Sequence, residues 1–149
     1  MVGGFAAGPT VSMASLLERV VYRSDAVAST DGPIDLSSIV ATSVRNNARL
    51  RMTGALALHD GTFVQVLEGE PEALTTLMDT IATDERHRNV RVLARWPVQS
   101  QLFVGWAMVQ VDTRALSQHL AKLMIQTGSG AQVTGVMADL ANARLTSLI

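Results

Sequence analysis

The chain has 149 residues, 48% hydrophobic and 17% charged, with a formal net charge of −1, which suits one domain with its own core plus an appended element and lacks the basic excess that nucleic acid or anionic lipid demands. Cysteine is absent, so disulfides, thiolate metal sites, cysteine nucleophiles and cysteinyl cofactor adducts are excluded together. The first 18 residues hold no lysine or arginine and no apolar run nears membrane-spanning length, so a cytoplasmic protein without a secretory leader is expected.

Residues 1–15, rich in Gly and Ala, read as a flexible arm, and Met13 could be the natural start. "SLLERVVYRS" (15–24) predicts a first strand with Val20 and Tyr22 on one face and Arg19 and Val21 on the other. After the turn-rich "STDGP", residues 34–49 carry Leu36, Val40 and Val44 at helical spacing, with Asp35 as cap. "MTGALALHDGTFVQVLEG" predicts a hairpin turning at Asp60-Gly61. A second amphipathic helix follows from Leu74, Leu77, Met78 and Ile81, and then two strands, "NVRVLARWPV" and "LFVGWAMVQV".

The order βαββαββ predicts an α+β fold, a ferredoxin-like sandwich with two helices on one face of a five-stranded sheet. Beyond it, Leu116, Leu120 and Leu123 form one helical stripe, and Met137, Leu140, Ala141, Leu145 and Leu148 another. The expected organisation is therefore an arm (1–15), a core domain (16–111) and a C-terminal helical hairpin (112–149). The hairpin's apolar stripes must be buried on the free sheet face or against another chain.

Polar residues interrupt this pattern. Gln65 alternates with Phe63 and Leu67, so it shares their face. Asn47 follows Val40 and Val44 on the inward face of the first helix, with Ser43 one turn before it. Strands one and three are neighbours in a ferredoxin-like sheet, so Tyr22 and Gln65 are expected to meet under the helices with Asn47 opposite. Either these groups satisfy one another, or they line a pocket for a flat apolar ligand with polar edges.

The segments "VVYRS", "RNNARLRMTGALALHDGTFVQVLEG", "DERHRNVRVL" and "LFVGWAM", in colinear order over roughly two thirds of the chain, resemble the BLUF domains, blue-light sensors using flavin. The resemblance implies a non-covalently bound flavin, usually FAD with FMN possible, between the two helices. It implies that Tyr22 is the photochemical electron and proton donor, that Gln65 bridges Tyr22 and flavin, and that Asn47 holds the ring's carbonyl and imide edge. Ser43 matches a position near the ring, and Arg49, Arg86 and His87 match positions approaching the ring or the ribityl-phosphate chain. Trp106 and Met108, in the last strand, are the two residues that alternate beside the glutamine, and either could transmit the signal.

The residue types suit that chemistry. A tyrosine with a pKa of about 10 is neutral at pH 7, so losing an electron favours losing its proton too. A glutamine offers an acceptor oxygen and a two-hydrogen donor, which neither glutamate nor leucine does. The amide then returns rotated or as another tautomer, and absorption shifts to the red. Gln101 departs from an arginine common in the family, and Asn46 occupies a more variable polar position. Trp96 reads as a packing residue, and His59 and His119 have no metal-ligand partners at suitable spacing.

The expectation is a non-enzymatic photoreceptor whose output passes to a partner protein or a homodimer, with no nucleic acid, membrane or metal involved. Two other readings compete with it. One is a light-independent ferredoxin-like module binding a small ligand through Tyr22, Asn47 and Gln65. The other is an acylphosphatase-like hydrolase, for which "TDGP" is no phosphate-cradling loop.

Overall fold

A computed structural model of the chain describes residues 16–27, 36–114 and 116–147, the side chains of 144–147 excepted. The predicted arm, "STDGP", the Asp35 cap and Leu148 lie outside the described residues, as does the side chain of Leu145. The strands are β1 (Leu17–Ala26), β2 (Thr53–His59), β3 (Thr62–Gly69), β4 (His87–Val98) and β5 (Val109–Gln110). They form one sheet in the order β4-β1-β3-β2-β5. β5 alone pairs in parallel, with β2. Helices α1 (Leu36–Arg49) and α2 (Pro71–Thr83) are the crossovers that this order requires. The ferredoxin-like arrangement expected from the sequence is the one found.

The turn between β2 and β3 has two residues, Asp60 and Gly61, at φ 49° and 77°, the positive pair that matches hairpin twist. Under α1 and α2, Val20, Tyr22, Leu56, Phe63 and Leu67 of the sheet pack with Ile39, Leu74 and Ile81. On the other face, Val21, Ala55, Ala57, Val64 and Val66 pack with Met124, Val133, Met137 and Ala141. The C-terminal segment thus covers the free sheet face, one of its two expected places.

That segment consists of α3 (Gln118–Lys122), a π-helix (Leu123–Thr127) and α4 (Gly130–Ser147). Gly130 permits its close approach, because a Cβ there would stand 2.5 Å from the Ala94 Cβ. Among the described residues no helix is long and apolar enough to cross a membrane.

Three expectations need correction. The last strand, expected over residues 102–111, is two residues long, and residues 101–108 form turns and bends. Gly105 at φ 86° reverses the chain there, and Trp106 N–H donates to the Phe103 carbonyl at 3.0 Å, so Trp106 and Met108 lie in a loop rather than in a strand. In α1, Val44 is 38% exposed, and Ile39 with Asn47 takes the buried face. In the C-terminal segment Leu120 is exposed and Met124 is fully buried, because the π-turn's wider i→i+5 spacing shifts the inward face.

Met137 has no exposed surface, so Met137→Ala is expected to lower the unfolding free energy by about 3 kcal/mol. Leu120→Ala is expected to change it by no more than about 0.5 kcal/mol. Urea denaturation of both variants checks this reading of the helical face.

Candidate functional site

Tyr22 and Gln65 are register partners across the β1–β3 ladder, and both point to the face covered by α1 and α2. The Tyr22 hydroxyl donates to Gln65 Oε1. The other end of the amide, Nε2, meets Met108 Sδ at 3.7 Å, so a strong donor faces a weak thioether acceptor. Asn47, buried near the end of α1, donates from Nδ2 to the Ala107 carbonyl at 2.9 Å. The three polar side chains inferred from the sequence do converge, and Met108 rather than Trp106 completes them. Trp106 is half-buried and packs against the core of the opposite face.

A cleft opens here between the two helices and the sheet, with apolar walls and a few placed polar groups, the general make-up of a small-molecule site. Ile39, Leu56, Leu77 and Ile81 form apolar walls, while Ser43, Asn46, Asn47 and Gln65 supply polar groups. Asp84, Arg86 and His87 also line it. Of the residues expected to hold the cofactor, two are not among its lining: Tyr22, which is fully buried and bonded to Gln65, and Arg49, which is exposed at the end of α1. Thr42, Thr80 and Asp84 line it without having been singled out; all three fall on the faces or ends of the two helices that flank it.

The electrostatics hold the site neutral around the phenol. Burial, with the negative charge of Asp84 adding, keeps the Tyr22 pKa far above its ordinary value. Burial lowers the His87 pKa against the opposing pull of Asp84. Its Nδ1 lies 2.8 Å from Ser24 Oγ and its ring packs 4.9 Å from that of Phe63. Asp84 is itself held low, first by its hydrogen bonds from Arg86, whose Nη2 stands 2.6 Å from Oδ2. A neutral phenol, a neutral imidazole and a closed ion pair favour an uncharged aromatic guest with hydrogen-bonding edges.

A second polar cluster, on the opposite sheet face, went unread in the sequence. Glu68 is fully buried and accepts from Arg19 Nε at 2.9 Å, Thr53 Oγ1 at 3.0 Å, Leu102 N at 2.9 Å and Phe103 N at 3.1 Å. Glu68 thereby anchors the start of the loop that delivers Met108 to Gln65. Further along, Gly54 N–H donates to the Trp106 carbonyl at 3.2 Å and Asn47 holds that of Ala107. The signal was present: Glu68 alternates with Val64 and Val66, and Arg19 and Arg23 with Val21, which puts three charges on an apolar face. Trp96 does pack, as expected, with the Arg19 guanidinium 5.5 Å above its ring.

Replacing Glu68 by Ala leaves a buried guanidinium and two loop amides without their acceptor, so a loss of about 3–5 kcal/mol is expected in urea denaturation. Tyr22 is the chain's one tyrosine, so alkaline absorbance titration reports it alone. Because its folded pKa is raised, the folded protein is expected to show no tyrosinate at about pH 10, the ordinary midpoint. Its contribution to stability is complete below that pH and declines above it, as the unfolded chain begins to ionise first. Tyrosinate absorbance appearing at pH 10 while circular dichroism still reports a folded chain would contradict this.

A sequence profile described as BLUF, sensors of blue-light using FAD, matches residues 17–109. The beta subunit of a photoactivated adenylate cyclase from Euglena longa is 34% identical over 114 residues, covering 74% of this chain and 13% of that protein. The chain thus spans about an eighth of the length of that curated relative. Among solved structures, the dark state of BlrB, a BLUF protein, superposes with a TM-score of 0.73 at 27% identity, covering 88% of this chain and 98% of that one. Klebsiella pneumoniae BlrP1, in a complex with manganese and cyclic diGMP, gives a TM-score of 0.66 at 31% identity over 85% of this chain and 33% of that one. The profile runs from the start of β1 to the start of β5, through every residue of the Tyr22–Gln65–Met108 cluster, and the chain belongs to the BLUF family of flavin-binding blue-light sensory domains.

Proposed function

We propose that this chain is a blue-light photoreceptor that holds FAD non-covalently in the cleft between α1 and α2. The observation that carries this reading is the Tyr22–Gln65 hydrogen bond, whose Gln65 end lines that cleft. The residues present fit a flavin: aliphatic walls for a flat ring, and the Asn47 and Gln65 amides with Ser43 for its polar edge. Arg86 and His87, at the same cleft, are the groups suited to the rest of the cofactor. When bound, the flavin supplies a ring that absorbs blue light and then accepts an electron.

In this mechanism Tyr22 is the electron donor. Its phenol, kept neutral by burial, becomes a strong acid once the electron has left, and Gln65 Oε1 is the acceptor within reach of its proton. Gln65 holds that proton on one side and its own N–H donor on the other, until the electron returns to Tyr22 and a proton returns to its oxygen with it, leaving the phenol as it began. The weak hold of Met108 sulfur on Nε2 leaves the amide free to return turned over or as its other tautomer. Either outcome changes what Met108 faces, so Met108, with Trp106 in the same loop, is the first element to sense the change.

The sensor is assigned to residues 16–111 and the output to residues 112–149, acting in the cytoplasm on a partner protein or a second copy of the chain. The chain is read as a sensor rather than an enzyme.

The test is the visible spectrum of the purified protein in the dark and under blue light, beside that of Gln65→Leu, with the released flavin identified chromatographically. A flavin spectrum that shifts reversibly to the red in wild type, and not in Gln65→Leu, is expected, with FAD as the released species. A colourless protein that takes up no added FAD or FMN would overturn the reading.

A further inference from the structure

Arg23 follows Tyr22 in β1, and alternation sends its side chain through the sheet to the face opposite the cleft. There the guanidinium is buried and donates to four backbone carbonyls: Nε to Met124 at 2.7 Å, Nη1 to Gln126 at 3.2 Å, and Nη2 to Leu123 and Gly128, both at 3.0 Å. All four acceptors lie within the π-helix and its C-cap, residues 123–128. A helix ending ordinarily leaves such carbonyls to water or to a cap. Here one planar cation, complementary to the negative end of a helix, gathers them. The π-turn itself closes by the Gly128 N–H donating to the Leu123 carbonyl at 2.7 Å, and such turns are rare and frequently found at functional positions.

The backbone beneath this contact is irregular on one side. Pairing of β1 with β4 slips between Val21 and Tyr22 and again between Arg23 and Asp25. Asn89, at φ 57°, forms part of the second irregularity, and its Nδ2 donates to Asp25 at 2.8 Å. Towards β3 the ladder is continuous, with Tyr22 opposite Gln65 and Arg23 opposite Val64. The stretch carrying both side chains is therefore tied to Gln65 by a continuous ladder on one edge and interrupted by bulges on the other, where a bulge locally disrupts the ladder and bends the strand.

We propose that Arg23 is a positioning residue that couples the Tyr22–Gln65 hydrogen bond to the C-terminal segment, through β1 and separately from the Met108 loop. Rearrangement at Gln65 displaces β1 at Tyr22 and Arg23, and the guanidinium loosens its hold on the carbonyls of residues 123–128. The coupling rests on the photoreceptor reading above. It assigns the π-helix the role of receiving element, for which the regular end of α3 would offer no such convergent set of acceptors.

The test is hydrogen–deuterium exchange of the full chain with bound flavin, in the dark and under blue light, for wild type, Arg23→Gln and Arg23→Lys, with the absorption shift recorded on the same samples. Wild type is expected to exchange severalfold faster over residues 118–130 in the light. In Arg23→Gln, the dark rate is expected to match the lit rate of wild type, with no further light effect although the red shift persists. Arg23→Lys, with a charge but fewer donors, is expected to fall between them. A red-shifting wild type with no change in exchange over 118–130, or an Arg23→Gln that keeps the full light-dark difference, would overturn the coupling alone. If Arg23→Gln does not fold by circular dichroism, Arg23→Lys decides, and a full light-dark difference there overturns the proposal. A wild type with no flavin or no red shift overturns the photoreceptor reading and the coupling with it.

Discussion

The antiparallel pairing of β1 with β3 is the constraint on which the other features depend. It sets Tyr22 opposite Gln65 and, three residues away, Arg19 opposite Glu68. A one-residue slip of β1 would send its side chains through the sheet, putting the Tyr22 phenol among the helices of the C-terminal segment and Arg19 under α1 and α2, away from Gln65 and Glu68. The register is protected by the apolar residues between them, Val20, Val21, Val66 and Leu67, all essentially without exposed surface.

The two faces of this pairing do different physical work. Under α1 and α2 the groups around the phenol are neutral and form a short chain from phenol to amide to thioether. On the far face the polar groups are charged and fully engaged, because a buried ion is tolerated only when its remaining donors or acceptors are also satisfied. Glu68 meets that requirement with loop amides and Arg23 with helix carbonyls. In both cases a buried charge on a central strand organises a non-regular segment: the 101–108 loop in one, the π-helix in the other.

This arrangement connects local chemistry to a remote surface without long-range movement. The loop held by Glu68 carries Met108 to Gln65, and the backbone of Tyr22 carries Arg23 to the C-terminal segment. Each route is a run of a few bonded residues through a packed sheet, and packed interiors pass displacement on rather than absorb it.

Periodicity and turn chemistry are local, so the sequence alone determined the βαββαββ order, the Asp60-Gly61 hairpin, the shared face of Tyr22 and Gln65 and the inward direction of Asn47. The five-stranded ferredoxin-like sheet and a cleft with polar groups under the helices follow from those same signals. What only the tertiary structure decided were matters of partnership. Val44, Leu120 and the whole 102–108 run have the hydrophobicity of buried elements, yet their burial depended on which neighbour the fold set at each face: Ile39 in α1, Met124 in the π-helix, and Glu68 against the loop amides. The buried charges show the reason most clearly. Arg19 and Glu68 are 49 residues apart, Arg23 and the Gly128 carbonyl 105, and no periodicity within a single segment records a bond that the folded chain alone brings into range.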